Sequence, residues 1–166
     1  MSGADTTQQP RFAVFDIDGV LADVEHRLHH LRPPHRRWRA FFAEAADDPP
    51  LDEGVRRAHE AARTHALVYV SGRPERLRRV TQTWLDQHGL PAGALLLRPN
   101  HDRRPARVLK PEVVARISRQ GLVALVVDDD LEVCEALRAL GYSVVHATWS
   151  TPGERLRRAQ EDEGRT

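Results

Sequence analysis

Short apolar runs alternate with longer amphipathic stretches along most of the chain. Five runs predict β-strands because they are short and rich in leucine or β-branched residues. These runs are Phe12–Phe15, Ala66–Val70, Ala94–Leu97, Leu122–Val127 and Tyr142–His146. They lack alternating polar residues, which is typical of strands that are buried on both faces of a parallel sheet.

The stretches between these runs predict helices, at about Glu53–His65, Pro74–His88, Pro111–Gln120 and Leu131–Leu140. Pro74 and Pro111 suit a first helical turn, and a glycine follows three of the four stretches. Strands that alternate with helices predict right-handed crossovers. The pattern therefore predicts an α/β fold with a doubly wound, Rossmann-like parallel sheet of five strands.

Three segments lie outside this pattern. Residues 21–52 separate the first strand from its crossover helix by about thirty positions, whereas an ordinary connection in such a unit has roughly 2–6. Arginines and aromatic residues are frequent in this segment, which predicts a small helical insert over one edge of the sheet. We expect residues 1–10 to be disordered, residues 11–149 to form one domain, and residues 150–166 to form a polar tail.

Composition narrows the class of protein. A chain of 166 residues suits a single domain, and 25 basic against 24 acidic residues create no strong overall field for nucleic acid or lipid. One cysteine excludes an internal disulfide and fits a reducing compartment. The polar first ten residues do not resemble a signal peptide, and no run is long enough to cross a bilayer. We therefore expect a cytoplasmic protein without a membrane partner.

Chemically informative residues follow the predicted strands. Asp16-Ile17-Asp18-Gly19 follows the first strand, Ser71-Gly72-Arg73 follows the second, and Asp128-Asp129-Asp130 follows the fourth. Lys110, the only lysine of the chain, precedes the helix that is predicted to begin at Pro111. Because ligands of an open α/β sheet bind beyond the carboxyl ends of the strands, we expect these residues to meet at one edge.

The residue types at this edge indicate a metal and an anion. Closely packed aspartates need a hard cation, and Mg²⁺ is the most plausible one because it accepts carboxylate oxygens and retains several waters. Ser71, Arg73 and Lys110 supply a hydroxyl and two cations for a tetrahedral anion, and a helix N-terminus at Pro74 would add to this site. A lysine at the start of a helix is electrostatically disfavoured, which favours anion pairing by Lys110.

Other interpretations exist for single motifs. An Asp-x-Asp-Gly sequence is often only a turn, and an acidic triplet before a helix is often an N-cap. His26, His29 and His30 have helical spacing and make zinc a minor alternative, while Cys134 fits a small core residue better than a nucleophile.

Taken together, the motifs resemble the haloacid dehalogenase (HAD) superfamily of phosphotransferases. The resemblance rests on Asp16-x-Asp18-Gly19-Val20, Ser71-Gly72-Arg73, Lys110 and Asp128-Asp129, in that order, and spans residues 12–149. Within the superfamily, the stretch from Leu97 to Lys110 resembles the 3′-phosphatase domain of phage-type polynucleotide kinase-phosphatases. The chain departs from that group at Ala106, where the group has an acid, and at Asp130, where it has arginine.

The resemblance implies a role for each motif. Asp16 would be the nucleophile that forms an aspartyl-phosphate, and Asp18 would act as general acid and then as general base. Mg²⁺ would be held by Asp16, the backbone carbonyl of Asp18 and Asp128, with Asp129 orienting metal-bound water or Lys110. Lys110 would bind phosphoryl oxygens together with Ser71, Gly72 and Arg73. Arg27 matches an arginine that contacts the substrate phosphate.

We therefore expect a Mg²⁺-dependent phosphomonoesterase that acts on a polynucleotide 3′-phosphate or a nucleotide. A phosphatase for a free mononucleotide or another small metabolite, and a non-catalytic phosphate-binding module, are the alternatives. The chain contains no Gly-rich phosphate loop ending in Gly-Lys-Ser/Thr, so we expect no linked kinase in it.

Overall fold

Five parallel strands form one sheet in the order β3-β2-β1-β4-β5. The computed structural model describes residues 9–32 and 34–150, together with Leu156 and Glu161. The strands are β1 (Arg11–Phe15), β2 (Ala66–Pro74), β3 (Gly93–Arg98), β4 (Leu122–Asp128) and β5 (Val144–His146). All five predicted strands are present, and the prediction of an all-parallel α/β sheet is confirmed.

Helices connect these strands and cover both faces of the sheet. The α-helices are α1 (Trp38–Ala43), α2 (Asp52–Ala62), α3 (Arg78–Gln87), α4 (Ala106–Ser118) and α5 (Leu131–Ala139). Short 3₁₀ helices occupy Glu25–Leu31, Ala45–Asp47 and Glu75–Leu77. Among the described residues, no helix is both long and apolar enough to cross a membrane.

Alternation along the strands divides the core into two layers. In β1, Ala13 and Phe15 pack with residues of α2 and α3, whereas Val14 packs with residues of α4 and α5 on the opposite face. Successive side chains of a strand point to opposite faces, so a strand covered on both sides has to be apolar at every position. This burial explains why the strand sequences lack polar alternation.

Helix α4 begins earlier than the sequence predicts. The helix was expected to start at Pro111, but it starts at Ala106, and Pro111 lies inside it. Ala106 and Leu109 are buried in the same apolar layer as Val113 and therefore extend the buried face of the helix by more than one turn. Lys110 consequently lies in the second turn of α4 rather than ahead of its N-terminus, so the prediction of a lysine at an unfavourable helix end is wrong.

The connection after β2 also differs from the prediction. Residues 71–74 extend the strand, with Ser71 and Pro74 paired with β3 across an irregularity in the register. Pro74 has extended backbone angles, φ −68° and ψ 149°, and α3 begins only at Arg78. The predicted helix N-terminus at Pro74 is therefore wrong, because strand pairing continues through the motif.

The insert between β1 and α2 has a small apolar core of its own. Trp38, Phe41 and Phe42 of α1 pack against one another, with ring centroids 5.4–5.8 Å apart, and against Leu28. Leu77, just before α3, packs against the same core. Leu156 also joins it, while the rest of the predicted C-terminal tail and N-terminus falls largely outside the described residues.

Candidate active site

Two aspartates and the lysine meet at the carboxyl ends of two neighbouring strands. Asp16 directly follows β1, Asp128 ends β4, and the Asp16 amide donates to the Val127 carbonyl at 2.9 Å. The Lys110 ammonium lies 2.8 Å from Asp16 Oδ2 and 2.6 Å from Asp128 Oδ2. All three side chains are buried. The structure therefore brings three of the predicted site residues into one ion-paired cluster.

Asp129 completes the acidic cluster and makes it strongly negative. One carboxylate oxygen each of Asp16, Asp128 and Asp129 lies within 4.8 Å of the others. Burial raises the pKa of Asp16 to about 7, against the opposing charge of Lys110. Burial and the neighbouring carboxylates raise the pKa of Asp129 well above its ordinary value, and burial also raises the pKa of Asp128. Burial alone would lower the pKa of Lys110, but the adjacent carboxylates raise it.

The donor set of this cluster fits a hard divalent cation. It offers three carboxylates and a single ammonium, so negative charge remains uncompensated when all of them are ionised. Oxygen-only ligands suit Mg²⁺, and a cation beside the carboxylates favours their ionised forms. Burial, together with the mutual repulsion of the carboxylates, raises the pKa values of these acids, and a bound cation would oppose both effects.

Gly19 allows Asp129 to approach the first motif. Its backbone has a positive φ of 79°, and a Cβ atom at this position would lie 2.1 Å from Asp129 Oδ2. Only glycine accommodates both the left-handed backbone and the close carboxylate. The Asp-x-Asp-Gly sequence is thus a turn, as its simplest interpretation holds, and at the same time part of the acidic cluster.

Asp18 has a different environment from Asp16. Its Oδ1 accepts a hydrogen bond from Arg73 Nε at 2.8 Å and a longer one from Arg27 Nη2 at 3.2 Å. Its Oδ2 is buried and has no hydrogen-bond partner among the described residues. Burial alone would raise the pKa of Asp18, but the two guanidinium groups hold it below its ordinary value. One oxygen of this carboxylate is thus held by two guanidinium groups, and the other is buried and has no hydrogen bond among the described residues.

The Ser71-Gly72-Arg73 motif lies at the end of β2. Ser71 is buried, and its hydroxyl accepts a hydrogen bond from the Arg73 amide at 3.2 Å. The Gly72 carbonyl accepts one from Arg98 Nε at 3.3 Å. Arg73 is fully buried and pairs with Asp18, while its Nη1 has no partner among the residues that the structure describes. The Ser71-Gly72-Arg73 motif therefore lies next to Asp18.

Arg27 comes from the insert and is fully buried. Its guanidinium carbon lies 4.0 Å from the centroid of the Phe41 ring, and its Nη1 donates to the Phe41 carbonyl at 3.4 Å. The remaining donors reach Asp48 and Asp18. The structure thus connects the insert directly to the second aspartate of the first motif.

Asp48 is the site residue that the sequence analysis did not identify. It lies just after the Ala45–Asp47 turn, is 1% exposed, and accepts hydrogen bonds from both Arg27 and Arg73. The sequence shows it only as one of two adjacent aspartates in a turn-forming stretch. An acidic residue in an insert rich in arginine is the one signal that could have singled it out.

Two of the three histidines named in the zinc alternative, His29 and His30, offer ligand atoms within 4.8 Å of one another and of Glu44, but His26 does not join them. His26 Nε2 lies 2.8 Å from Asp48 Oδ1, whereas His30 Nε2 lies 2.7 Å from Glu44 Oε1. His29 and His30 lie near Glu44, but the other ring nitrogen of His30 is 3.1 Å from Arg37 Nη2. Both nitrogens of His30 therefore have protein partners.

Cys134 packs as a core residue, as its apolar neighbours predict. It is fully buried on α5, and its thiol donates to the Asp128 carbonyl at 3.4 Å. Burial raises its pKa to about 12, so the thiol is protonated at neutral pH. A nucleophilic role is therefore disfavoured.

Comparison with known proteins identifies the family to which this chain is similar. A family model described as "Polynucleotide kinase PNKP phosphatase domain" matches residues 10–149. No curated protein matches the chain.

Solved structures resemble the fold. Two structures of the Pnkp1/Rnl/Hen1 complex, one titled as an RNA repair complex, align with TM-scores of 0.71 and 0.73 at 22% identity. They are matched over 87% and 90% of this chain, which spans 44% and 50% of theirs. A haloacid dehalogenase-like hydrolase from Streptococcus pneumoniae aligns with a TM-score of 0.59 at 12% identity, over 92% of both chains. At these identities the solved structures show a shared fold.

Proposed function

Since the chain belongs to the PNKP phosphatase-domain family of haloacid dehalogenase-like hydrolases, it is a phosphatase, and we propose that its substrate is a polynucleotide 3′-phosphate. We propose further that the reaction proceeds through a phosphorylated Asp16. This proposal rests on the different environments of the two aspartates in the first motif. Asp16 is joined to Lys110, whereas Asp18 is fixed through one oxygen and has the other available.

In the first step, an Asp16 carboxylate oxygen attacks phosphorus and forms the new P–O bond. The ester P–O bond breaks, its electron pair stays on the leaving oxygen, and that oxygen takes a proton from Asp18 Oδ2. Asp18 is ionised in the free enzyme because Arg73 and Arg27 lower its pKa. A phosphate dianion bound beside it raises that pKa and so makes the protonated form more accessible when substrate is present.

In the second step, water attacks the phosphorus of the aspartyl-phosphate and gives its proton to Asp18. The bond to Asp16 breaks, and its electron pair returns to the Asp16 carboxylate as inorganic phosphate leaves. Lys110 keeps a positive charge beside Asp16 throughout, which lowers the repulsion between the carboxylate and an incoming phosphate. Ser71, buried next to Arg73, is proposed to bind phosphoryl oxygens together with Lys110.

We propose Mg²⁺ as the cofactor, held by Asp16, Asp128 and the Asp18 backbone carbonyl, with Asp129 beside it. A bound Mg²⁺ supplies charge neutralisation at the phosphoryl group and favours the ionised form of Asp16. A HAD family enzyme from Bacteroides thetaiotaomicron with a similar fold, 9% identical with a TM-score of 0.53, was solved in complex with magnesium and inorganic phosphate. Support from this chain itself is the unbalanced negative charge of its three carboxylates.

A nucleic-acid end is favoured over a small metabolite by the family and by the surface of the insert. Arg32, Arg37 and Arg39 are exposed on this segment. Exposed arginines pair with backbone phosphates without regard to base sequence, which suits an enzyme that acts on strand ends.

The proposal is tested by measuring phosphate release from a substrate panel. The panel compares 3′-phosphorylated oligonucleotides, 3′- and 5′-mononucleotides and sugar phosphates by kcat/KM, with Mg²⁺ or with a chelator. We expect the oligonucleotides to be preferred, turnover to need the metal, and Asp16→Asn to be inactive while the exposed control Asp52→Asn is unaffected. Equal rates on mononucleotides would favour a nucleotidase, and no release from any ester would leave a binding module.

The acid role of Asp18 has its own test. Asp18→Asn should lower kcat about 10²–10⁴-fold on a nucleoside 3′-phosphate, whose leaving alkoxide needs a proton. The loss on p-nitrophenyl phosphate should be much smaller, because its phenolate leaves without protonation. Equal losses on both esters would remove Asp18 from the acid role.

A further inference from the structure

Asp48 joins the insert to the catalytic motifs through a set of buried ion pairs. Its Oδ1 accepts from Arg27 Nε at 2.7 Å, and its Oδ2 accepts from Arg27 Nη2 and Arg73 Nη2, each at 2.7 Å. His26 Nε2 lies 2.8 Å from Oδ1. Both oxygens of this carboxylate are therefore fully engaged with cationic or potentially cationic groups.

The same two arginines hold Asp18. Arg73 binds Asp18 Oδ1 through Nε and Nη2, and Arg27 binds it through Nη2. Both arginines and both aspartates are at most 4% exposed, so two positive and two negative charges are buried together. Each guanidinium is shared between a carboxylate of the first motif and a carboxylate of the insert.

The backbone around Asp48 is held from two other elements. Trp84 of α3 donates its indole N–H to the Asp48 carbonyl at 2.7 Å. The next residue, Pro49, accepts a hydrogen bond from the Asp23 amide at 2.8 Å. Asp48 is thus a fixed anchor rather than a side chain at the tip of a free loop.

We propose that Asp48 is a positioning residue for the hydrolysis, acting through Arg27 and Arg73 to leave Asp18 Oδ2 available to the leaving oxygen. The inference rests on the proposed function. Without Asp48, Arg27 Nε loses its acceptor, and Arg27 Nη2 and Arg73 Nη2 each keep only Asp18 Oδ1. The nearest remaining carboxylate is Asp18, and donors that turn onto its Oδ2 would occupy the oxygen that has to carry the proton. Asp48 therefore acts by binding these donors itself.

The test compares Asp48→Asn with Asp47→Asn, a matched change at the adjacent, exposed aspartate. We expect Asp48→Asn to lower kcat on a nucleoside 3′-phosphate about 10²-fold, a loss typical of a misplaced catalytic group, and to change kcat on p-nitrophenyl phosphate less than about threefold. KM should change little on either ester, and Asp47→Asn should match the wild type. Equal losses on the two esters, or a wild-type rate, would overturn the inference.

A double variant separates positioning from a merely structural role. In an Asp18→Asn background the acid is already absent, so adding Asp48→Asn should lower kcat no further on the nucleoside 3′-phosphate. A multiplicative further loss would mean that Asp48 acts independently of Asp18, and would overturn the inference.

Folding is checked by circular dichroism and thermal melting, because removing one partner of a buried ion pair is strongly destabilising. If Asp48→Asn does not fold, Asp48→Glu keeps the charge but displaces the carboxylate and is assayed in its place, with the same ester-dependent loss expected and equal losses overturning the inference. Failure of the proposed function is a separate result. A wild type that hydrolyses neither ester refutes that function, whereas an active wild type with an equally active Asp48→Asn refutes only the role of Asp48.

Discussion

Gly19 is constrained in two independent ways, by its own backbone conformation and by the neighbouring Asp129 carboxylate. Its φ of 79° is strained for any residue with a Cβ, and that Cβ would lie 2.1 Å from Asp129 Oδ2. Gly141 shares the positive φ, 87°, but has open space around it. An alanine substitution at each of these two glycines therefore separates the cost of backbone strain from the cost of displacing the Asp129 carboxylate.

We expect Gly19→Ala to lower the free energy of unfolding by about 2–4 kcal/mol, since left-handed strain costs about 1–2 kcal/mol and the overlap adds to it. Gly141→Ala should cost only the strain. Urea unfolding measures both, and phosphate release should fall in the first variant alone. Equal effects on stability and activity would mean that Asp129 moves aside freely.

The sequence predicts which residues are at the site better than it predicts how they pair. Asp16, Lys110 and Asp128 meet as expected because each follows or faces a strand end. The pairing of Asp18 with Arg27 and Arg73 was not predicted, since the residues are 9 and 55 positions apart in the chain. Asp48 was missed for the same reason: its role depends on long-range contacts that no local pattern encodes.

At the scale of elements, the insert is held to the site by the aromatic face of α1. Phe41 is fully buried, its ring lies under the Arg27 guanidinium, and its carbonyl accepts from the same side chain. The ring and the carbonyl of Phe41 thus both contact the Arg27 guanidinium and help to orient it.

Phe41→Ala should lower the free energy of unfolding by about 3–5 kcal/mol, the usual cost of removing a buried aromatic ring, and should lower activity because Arg27 loses its support. Arg39→Ala on the exposed side of α1 is the control and should change neither stability nor phosphate release from p-nitrophenyl phosphate, which has no strand for this arginine to bind. Thermal melts and phosphate release measure both effects. Unchanged activity in a folded Phe41→Ala protein would show that Asp48 alone orients Arg27.

Helix boundaries were the least predictable elements. Proline is favoured in a first helical turn, which placed the start of α4 at Pro111, but burial of Ala106 and Leu109 begins the helix five residues earlier. Similarly, Pro74 was expected to open a helix, yet pairing with β3 keeps it extended. In both cases tertiary burial or strand pairing outweighed a local preference that the sequence displays clearly.

At the scale of the whole molecule, the fold was predictable because the sheet buries both faces. Every central strand must then be apolar at successive positions, and amphipathic helices must separate the strands. The strand order places the ends of β1 and β4 side by side, which concentrates acidic groups at one edge. The order itself follows from the packing of helices on two faces rather than from any single motif.

The acidic groups at this edge should make the free energy of unfolding depend on pH and on a bound metal ion. Asp16 has an ordinary pKa of 3.8 and a folded pKa of about 7, so the folded state holds more protons than the unfolded state between these values. The free energy of unfolding should therefore fall as the pH rises from about 4 to 7, and the raised pKa values of Asp128 and Asp129 act in the same direction. The lowered pKa of Asp18 matters only below about pH 4.

If Mg²⁺ binds at the proposed site, it competes with the protons of this cluster and should raise the melting temperature more at pH 7.5 than at pH 5. Thermal melts with Mg²⁺ or a chelator at each pH measure the difference. Asp128→Asn removes one ligand and should reduce the shift. A shift that is equal at both pH values, or unchanged in Asp128→Asn, would place the metal elsewhere.

The fluorescence of Trp84 can serve as a probe of the contact between the insert and α3. Because its N–H is bonded to the Asp48 carbonyl and its ring is 1% exposed, its emission depends on whether the insert stays docked on α3. The chain has three tryptophans, and replacing Trp38 and Trp149 with phenylalanine would leave this one as the only emitter. Its fluorescence would then report whether the insert stays docked on α3 when substrate is added.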